Sequence, residues 1–373
     1  MTDTSTGSGS TPRQNTFKML PSVLMAQETE TLIANFQSKA LLLDIDKKAI
    51  RAACEKLRES TTNWIGEYVR NSMCRWPECA ELAIEKSHTL QRNGALKAVS
   101  ESHVRNVGWA SRVGPIHLGI GRIKASVFPG FCETHEKHFG VFEKQKKLNR
   151  ASHYELQLYR TAAKEHWRHL AAFEYFGALP ELVHNLRSDF DWIDSRFNDF
   201  MDSSQERLIE RRNTQGITKG HLSGIEKELA FACTGINTAH FDKDLLSHTQ
   251  ILKAEVEKDL LYAYSGALHF RDDRYSFVLL LVVIPQDGRT LVLMASEEPF
   301  GRYLERFKNI YLRDGDAFIR VIESWVGYRP DDWYFSWDWW NKSAKRRKKV
   351  LSNVQENIPK MRLIRLGDMI QDI

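Results

Sequence analysis

The chain lacks a long apolar run: in its 373 residues the greasiest stretch, residues 277–285, falls far short of the ~20 residues a membrane helix needs, and reads as a buried strand. Residues 1–16 lack bulky apolar side chains, which predicts a disordered tail, no export signal and a cytoplasmic location. Cysteine is scarce: there are five, too few for a disulfide framework once the pattern described below claims three of them. Cys54 and Cys233 are left without an obvious partner, which suits a reducing compartment. No Gly-Lys-Ser/Thr follows Gly114, Gly119 and Gly121, so no phosphate loop is predicted there. A nucleophile elbow and a His-Glu-x-x-His run are also missing, which argues against the common hydrolase classes. Nor does one sign of charge dominate. Lys and Arg number 53 against 48 Asp and Glu, a balance of +5 that permits contact with nucleic acid without demanding it.

What the chain does have is a pattern of soft metal ligands. Cys74 and Cys79 form a C-x4-C pair in Cys-Arg-Trp-Pro-Glu-Cys, and Cys132 and His135 form a C-x2-H pair in Phe-Cys-Glu-Thr-His. Three thiolates and one imidazole fill a tetrahedron around Zn2+ and leave no vacancy for water, so the predicted site is architectural. It closes a long loop between a knuckle and the start of a helix, and such sites contribute directly to folding free energy.

Around this pattern the sequence predicts an α+β protein in four segments: a tail over 1–16, a helical and zinc-binding module over 17–150, a helical hairpin over 151–222 and an α+β domain with an antiparallel sheet over 223–373. In the first module Ile50, Ala53, Leu57, Trp64, Ile65 and Val69 recur at helical steps, and residues 103–110 and 117–127 alternate like strands. In the hairpin, Leu182, Leu186, Phe190, Ile193, Phe197 and Phe200 form one seam, with Gly177 and Pro180 as the break before it. The charged stripe Glu155, Arg160, Lys164, Glu165, His166, Arg168 and His169 reads as a solvated face, although His166 and His169 have the spacing to share a metal. Strands are predicted over 228–236, 260–270, 275–285 and 290–295, with Asp287-Gly288 as a tight turn, and helices over 300–312, 317–326 and 343–357. The tryptophan-rich segment 331–340 followed by Lys345-Arg346-Arg347-Lys348-Lys349 reads either as a helix anchored on the sheet or as a nucleic-acid contact.

Knuckle, hairpin-like middle and ligand-bearing helix together resemble a treble-clef zinc finger. Within that group the chain is similar to the HNH nuclease family over about 70 residues. The resemblance implies that His88 is the general base and that His138, with Glu136 nearby, holds a second cation, Mg2+ or Mn2+, for phosphodiester cleavage. The chain departs from that pattern at Ser87, where the family has Asp or His, and at His135, where a cysteine is usual. His88 also reads as a further zinc ligand or as a buried structural histidine. The Ser-His-Thr-Leu-Gln and Phe-Pro-Gly-Phe-Cys stretches are similar to uncharacterised bacterial proteins with a zinc-finger-like N-terminal half, which implies a place in phage defence. Three functions therefore stand open: an HNH-like nucleic-acid-cleaving effector, a non-enzymatic zinc protein that binds protein or nucleic acid, and a C-terminal effector domain with a zinc adaptor.

Overall fold

The computed structural model describes residues 23–110, 114–193, 219–230, 249–271, 276–297, 301–327, 329, 332–341 and 364–365. Helix α1 (Val23–Leu42) and helix α2 (Lys47–Arg70) form an antiparallel-style pair at the N-terminal end, with Asp46 capping α2 by accepting from the N–H groups of Lys48 and Ala49. The predicted apolar face of α2 is the observed one: Ile50, Ala53, Cys54, Leu57 and Ile65 are buried. They pack against the second half of helix α6 (Ala151–Asp189).

Helix α6 runs unbroken for 39 residues, about 58 Å at the usual rise. The hairpin turn predicted at Gly177 and Pro180 is therefore corrected: Pro180 lies inside the helix. Proline there removes one hydrogen bond and crowds the preceding turn, at about 3 kcal/mol. Burial of Leu179, Val183 and Leu186 against α1 and α2 outweighs that cost. Phe190 is the C-cap, while Phe197 and Phe200 lie outside the described residues.

The strands β2 (His103–Ala110), β3 (Gly114–Gly121), β5 (Thr249–Val256), β6 (Tyr262–Arg271), β7 (Ser276–Gln286), β8 (Arg289–Glu297), β9 (Trp333–Phe335) and β10 (Ile364–Arg365) share one sheet. Its order is β3-β2-β9-β6-β7-β8-β5, all antiparallel, with β10 added parallel to β6. The bridge is the pairing of β9 with both β2 and β6. Strands from the segment that carries the Cys and His pattern and from the C-terminal segment are thus hydrogen-bonded into a single sheet.

Strand β7 explains the apolar run at 277–285. Val278, Leu280, Val282 and Ile284 face the core under α6, while Phe277, Leu279, Leu281 and Val283 face helices α8 (Gly301–Arg313) and α9 (Gly315–Val326). A strand covered on both faces loses the polar alternation of a half-exposed one. The tight turn is where the sequence puts it: Asp287 and Gly288 both have positive φ, 52° and 74°, and join β7 to β8. The strand predicted over 228–236 is corrected in its described part, because residues 219–230 are helical (α7). Trp333, Trp339 and Trp340 are buried with β9 and helix α10 (Trp337–Asn341) in the core. The helix predicted over 343–357 and the Lys345–Lys349 run lie outside the described residues.

Candidate metal centre

Two short pairs of elements hold the metal ligands. Residues 72–84 fold into a narrow ribbon in which Met73 bridges Leu82, Cys74 N–H donates to the Glu81 carbonyl and Ala83 N–H to that of Ser72. At its tip Cys79 N–H donates to the Trp76 carbonyl, Trp76 N–H points at Cys74 Sγ, and Glu78 takes the left-handed conformation with φ 61°. The second pair of ligands follows strand β4 (Val127–Phe128), which pairs with β1 (Ser87–His88). Arg75 N–H donates to the Gly130 carbonyl and Ile84 N–H to that of Phe131, clamping ribbon to turn. Gly130 is obligatory there, since a Cβ would lie 2.4 Å from the Phe128 ring. Cys132 then caps helix α4 (Glu133–Glu136), which sets His135 on the same turn. A 3-10 turn (Lys137–Phe139) and helix α5 (Gly140–Glu143) continue the chain, so the predicted helix is present but segmented.

Cys74, Cys79, Cys132 and His135 offer ligand atoms that all lie within 4.8 Å of one another. His135 Nδ1 is 3.2 Å from Cys132 Sγ and 3.5 Å from Cys74 Sγ, and Cys79 Sγ is 3.9 Å from Cys132 Sγ. A tetrahedral zinc with Zn–S of ~2.3 Å and Zn–N of ~2.0 Å requires edges of ~3.5–3.8 Å. The donor set fits the ion in kind and in spacing, and none of these cysteines is in a disulfide. Burial pushes the Cys74 thiol up to about 12. At Cys132 burial is outweighed by the His135 backbone N–H and by the Cys74 and Cys79 thiols, which bring it below its usual value. Burial, then His138, lowers His135 and keeps its imidazole neutral, the form that ligates.

The centre is braced by aromatics. Trp76 stacks on the rings of His135 and His138 at centroid distances of 5.0 and 4.8 Å and meets Tyr159 edge-on. Tyr159, from α6, donates its hydroxyl to the Arg75 carbonyl at 2.7 Å. The knuckle therefore rests directly on the long helix.

His88 and His138 contact different neighbours. His88 Nδ1 is 3.0 Å from the Ala125 carbonyl, and burial followed by the charge of Arg160 lowers its pKa, so it is neutral at pH 7. His138 lies against Trp76. Among the described residues, the Cys74, Cys79, Cys132 and His135 set is the one group of three or more His, Cys, Asp or Glu side chains placed to hold a metal. Glu136 is already engaged: Ser87 Oγ donates to it at 2.8 Å, and it pairs with Arg160, whose side chain is fully buried and also reaches Glu143 at 2.6 Å. Burial raises the Glu136 pKa even with that guanidinium beside it.

The stripe read as solvated is corrected: Glu155, Arg160, Lys164, Glu165, Arg168 and His169 are all buried, because α6 lies between the Cys- and His-bearing loops and the sheet. Lys164 pairs with Asp332 and donates to the Ser265 carbonyl, while Arg168 makes a two-pronged contact with Asp332 at 2.6 and 2.7 Å. Glu165 lies 3.1 Å from Arg168 and 3.2 Å from Lys164. His166 faces Glu226 at 2.6 Å and His169 faces His269, so neither shares a metal with the other in the described set. Sequence reasoning passed over Asp332 and placed Arg160 on a solvated face. The available signal was that Arg160 stands among Leu158, Tyr159, Thr161, Ala162 and Ala163, with no other charge from Leu156 to Ala163.

No family model, curated protein or solved structure matches the chain. Among the described residues no helix is long and apolar enough to cross a membrane. The reading of function therefore rests on the site itself.

Proposed function

We propose that Cys74, Cys79, Cys132 and His135 bind one Zn2+ as a closed, structural centre of treble-clef type, in a protein that binds a partner rather than transforms it. The observation that carries this reading is the convergence of four soft donors within 4.8 Å. Four protein ligands complete a tetrahedron and leave the ion no position for substrate or water. Trp76 and Tyr159 link that centre to α6, so the ion rigidifies the seat of a larger surface. Purified protein should contain about one zinc per chain. Cys74→Ser should lose the zinc and melt at lower temperature; metal-free wild-type protein with an unchanged melting curve would end the proposal.

A specific observation favours one second reading, HNH-like cleavage with Mg2+ or Mn2+. His88 lies on a two-stranded hairpin beside the zinc centre, oriented through Nδ1 by a backbone carbonyl and neutral at pH 7, as a general base requires. The engagement of Glu136 by Arg160, and of His138 by Trp76, weighs for the binding reading. Nucleic-acid cleavage that needs Mg2+ or Mn2+ and is abolished in His88→Ala would replace that reading with this one.

A further inference from the structure

Between residues 92 and 124 the chain concentrates positive charge. In sequence, Arg92, Lys97, Arg105, Arg112, Arg122 and Lys124 are offset by a single carboxylate, Glu101, which pairs with Lys97 at 3.6 Å. This segregation is local, since the whole chain is almost balanced.

The fold turns part of that charge onto one sheet face. Strands β2 and β3 pair His103 with Gly121 and Arg105 with Gly119, and directly paired residues of an antiparallel ladder project to the same side. The opposite side, with Val104 and Asn106, is buried, and Asn106 Nδ2 donates to the Trp333 carbonyl. On the outer side His103 and Gly119 are exposed. Neither glycine raises a side chain: a Cβ on Gly119 would lie 3.0 Å from the Arg105 guanidinium, and one on Gly121 would lie 3.9 Å from the His103 ring. The result is a ledge on which the two glycines let the Arg105 guanidinium and the His103 ring lie across β3. At its edge the Arg105 guanidinium stands 4.3 Å from the ring centroid of Trp337, which is 46% exposed. At its other end the turn after β3 presents Lys124 and Ile123 to solvent, and Arg122 donates to the Arg92 carbonyl. Asp338, beside Trp337 at the Arg105 edge, is an acidic neighbour of the ledge.

We propose that this ledge, formed by Arg92, His103, Arg105, Arg122, Lys124 and Trp337, binds single-stranded nucleic acid. Arginine and lysine at its rim match a phosphate backbone, whose neutralisation releases counterions. A half-exposed indole backed by a guanidinium offers a platform for one unpaired base. A duplex keeps its base faces stacked inside, so it cannot use the indole in this way. The inference goes beyond the zinc reading and does not depend on it.

The test is fluorescence anisotropy with 5′-labelled 20-mers of deoxythymidine and of uridine, and with a 20-base-pair duplex, in EDTA-free buffer without Mg2+ or Mn2+ across a salt series. Full-length wild type should prefer a single strand over the duplex. Trp337→Ala should weaken that binding by about five- to a hundredfold, and Trp337→Phe should restore most of it. Arg105→Ala should lower the slope of log affinity against log salt by ~0.7, the share of one phosphate on a single strand. Melting curves and zinc content matching wild type establish that each variant is folded. Three outcomes would overturn the proposal: no binding by wild type, binding unaffected in folded Trp337→Ala and Arg105→Ala, or loss only when Lys345–Lys349 are neutralised. Because zinc content is measured on the same samples, failure of the ledge and failure of the metal centre are read separately.

Discussion

Single residues in this protein are decided by what surrounds them on α6. Glu155 is 4% exposed and one of its carboxyl oxygens has no hydrogen-bond partner. Burial pushes its pKa up to about 7. A folded carboxyl with a raised pKa holds its proton longer than the unfolded chain does, so stability falls as pH rises from about 4.5 to about 7 and stays reduced above that. Glu155→Gln should therefore raise the melting temperature at pH 8, by the equivalent of about 1–3 kcal/mol, and leave it unchanged near pH 4. Paired thermal melts at the two pH values check this. Asp332 has the opposite sign. Though burial opposes ionisation, Arg168 and Lys164 hold its carboxyl far below the usual carboxylate range, so its contribution is lost only in strong acid. Asp332→Asn leaves two buried cations short of a counter-charge and should cost about 3–5 kcal/mol in urea unfolding at pH 7.

At the scale of elements, α6 shows packing overruling local preference. Gly177 and Pro180 are the residues that end helices in isolation, yet the helix continues past both. Tyr175, Phe176, Leu179 and Val183 lie in the core with α1 and α2, and a turn there would expose them. Pro180→Ala restores the N–H that can donate to the Phe176 carbonyl and should stabilise the protein by up to about 3 kcal/mol in denaturant unfolding. No gain would mean that the helix is locally distorted to suit the ring. Strand β2 is governed by its neighbours as well. Its apolar alternation is legible in the sequence, but its second partner, β9, stands more than two hundred residues away, paired through Arg105 and Phe335.

For the molecule as a whole, the metal centre and the sheet are mechanically continuous. Ser126 N–H donates to the Tyr334 hydroxyl at 3.0 Å, Asn106 reaches the Trp333 carbonyl, and Asp332 binds α6 just before β9. With zinc in the proposed centre, its loss should therefore propagate beyond residues 72–143. Chelation with a strong zinc ligand should lower the main melting transition, and hydrogen exchange should quicken in β2 and β9 as well as in the knuckle. If exchange quickens in the knuckle alone, the two regions unfold independently.

The sequence alone determined the ligand set, because C-x4-C and C-x2-H are spacings that few other uses of cysteine require. It also determined the β7–β8 hairpin, through the Asp287-Gly288 turn and a strand apolar on both faces. Each ligand pair, like the turn, is a local code, read within a dozen residues. The tertiary structure decided the rest. It buried the charged stripe of α6, carried the helix through Pro180 and brought Asp332 to Lys164 and Arg168. It also joined two distant segments in one sheet and laid Arg105 across Trp337. Each of these depends on contacts between residues far apart in the chain, where the free energy of packing and ion pairing exceeds any local preference and leaves no periodic trace.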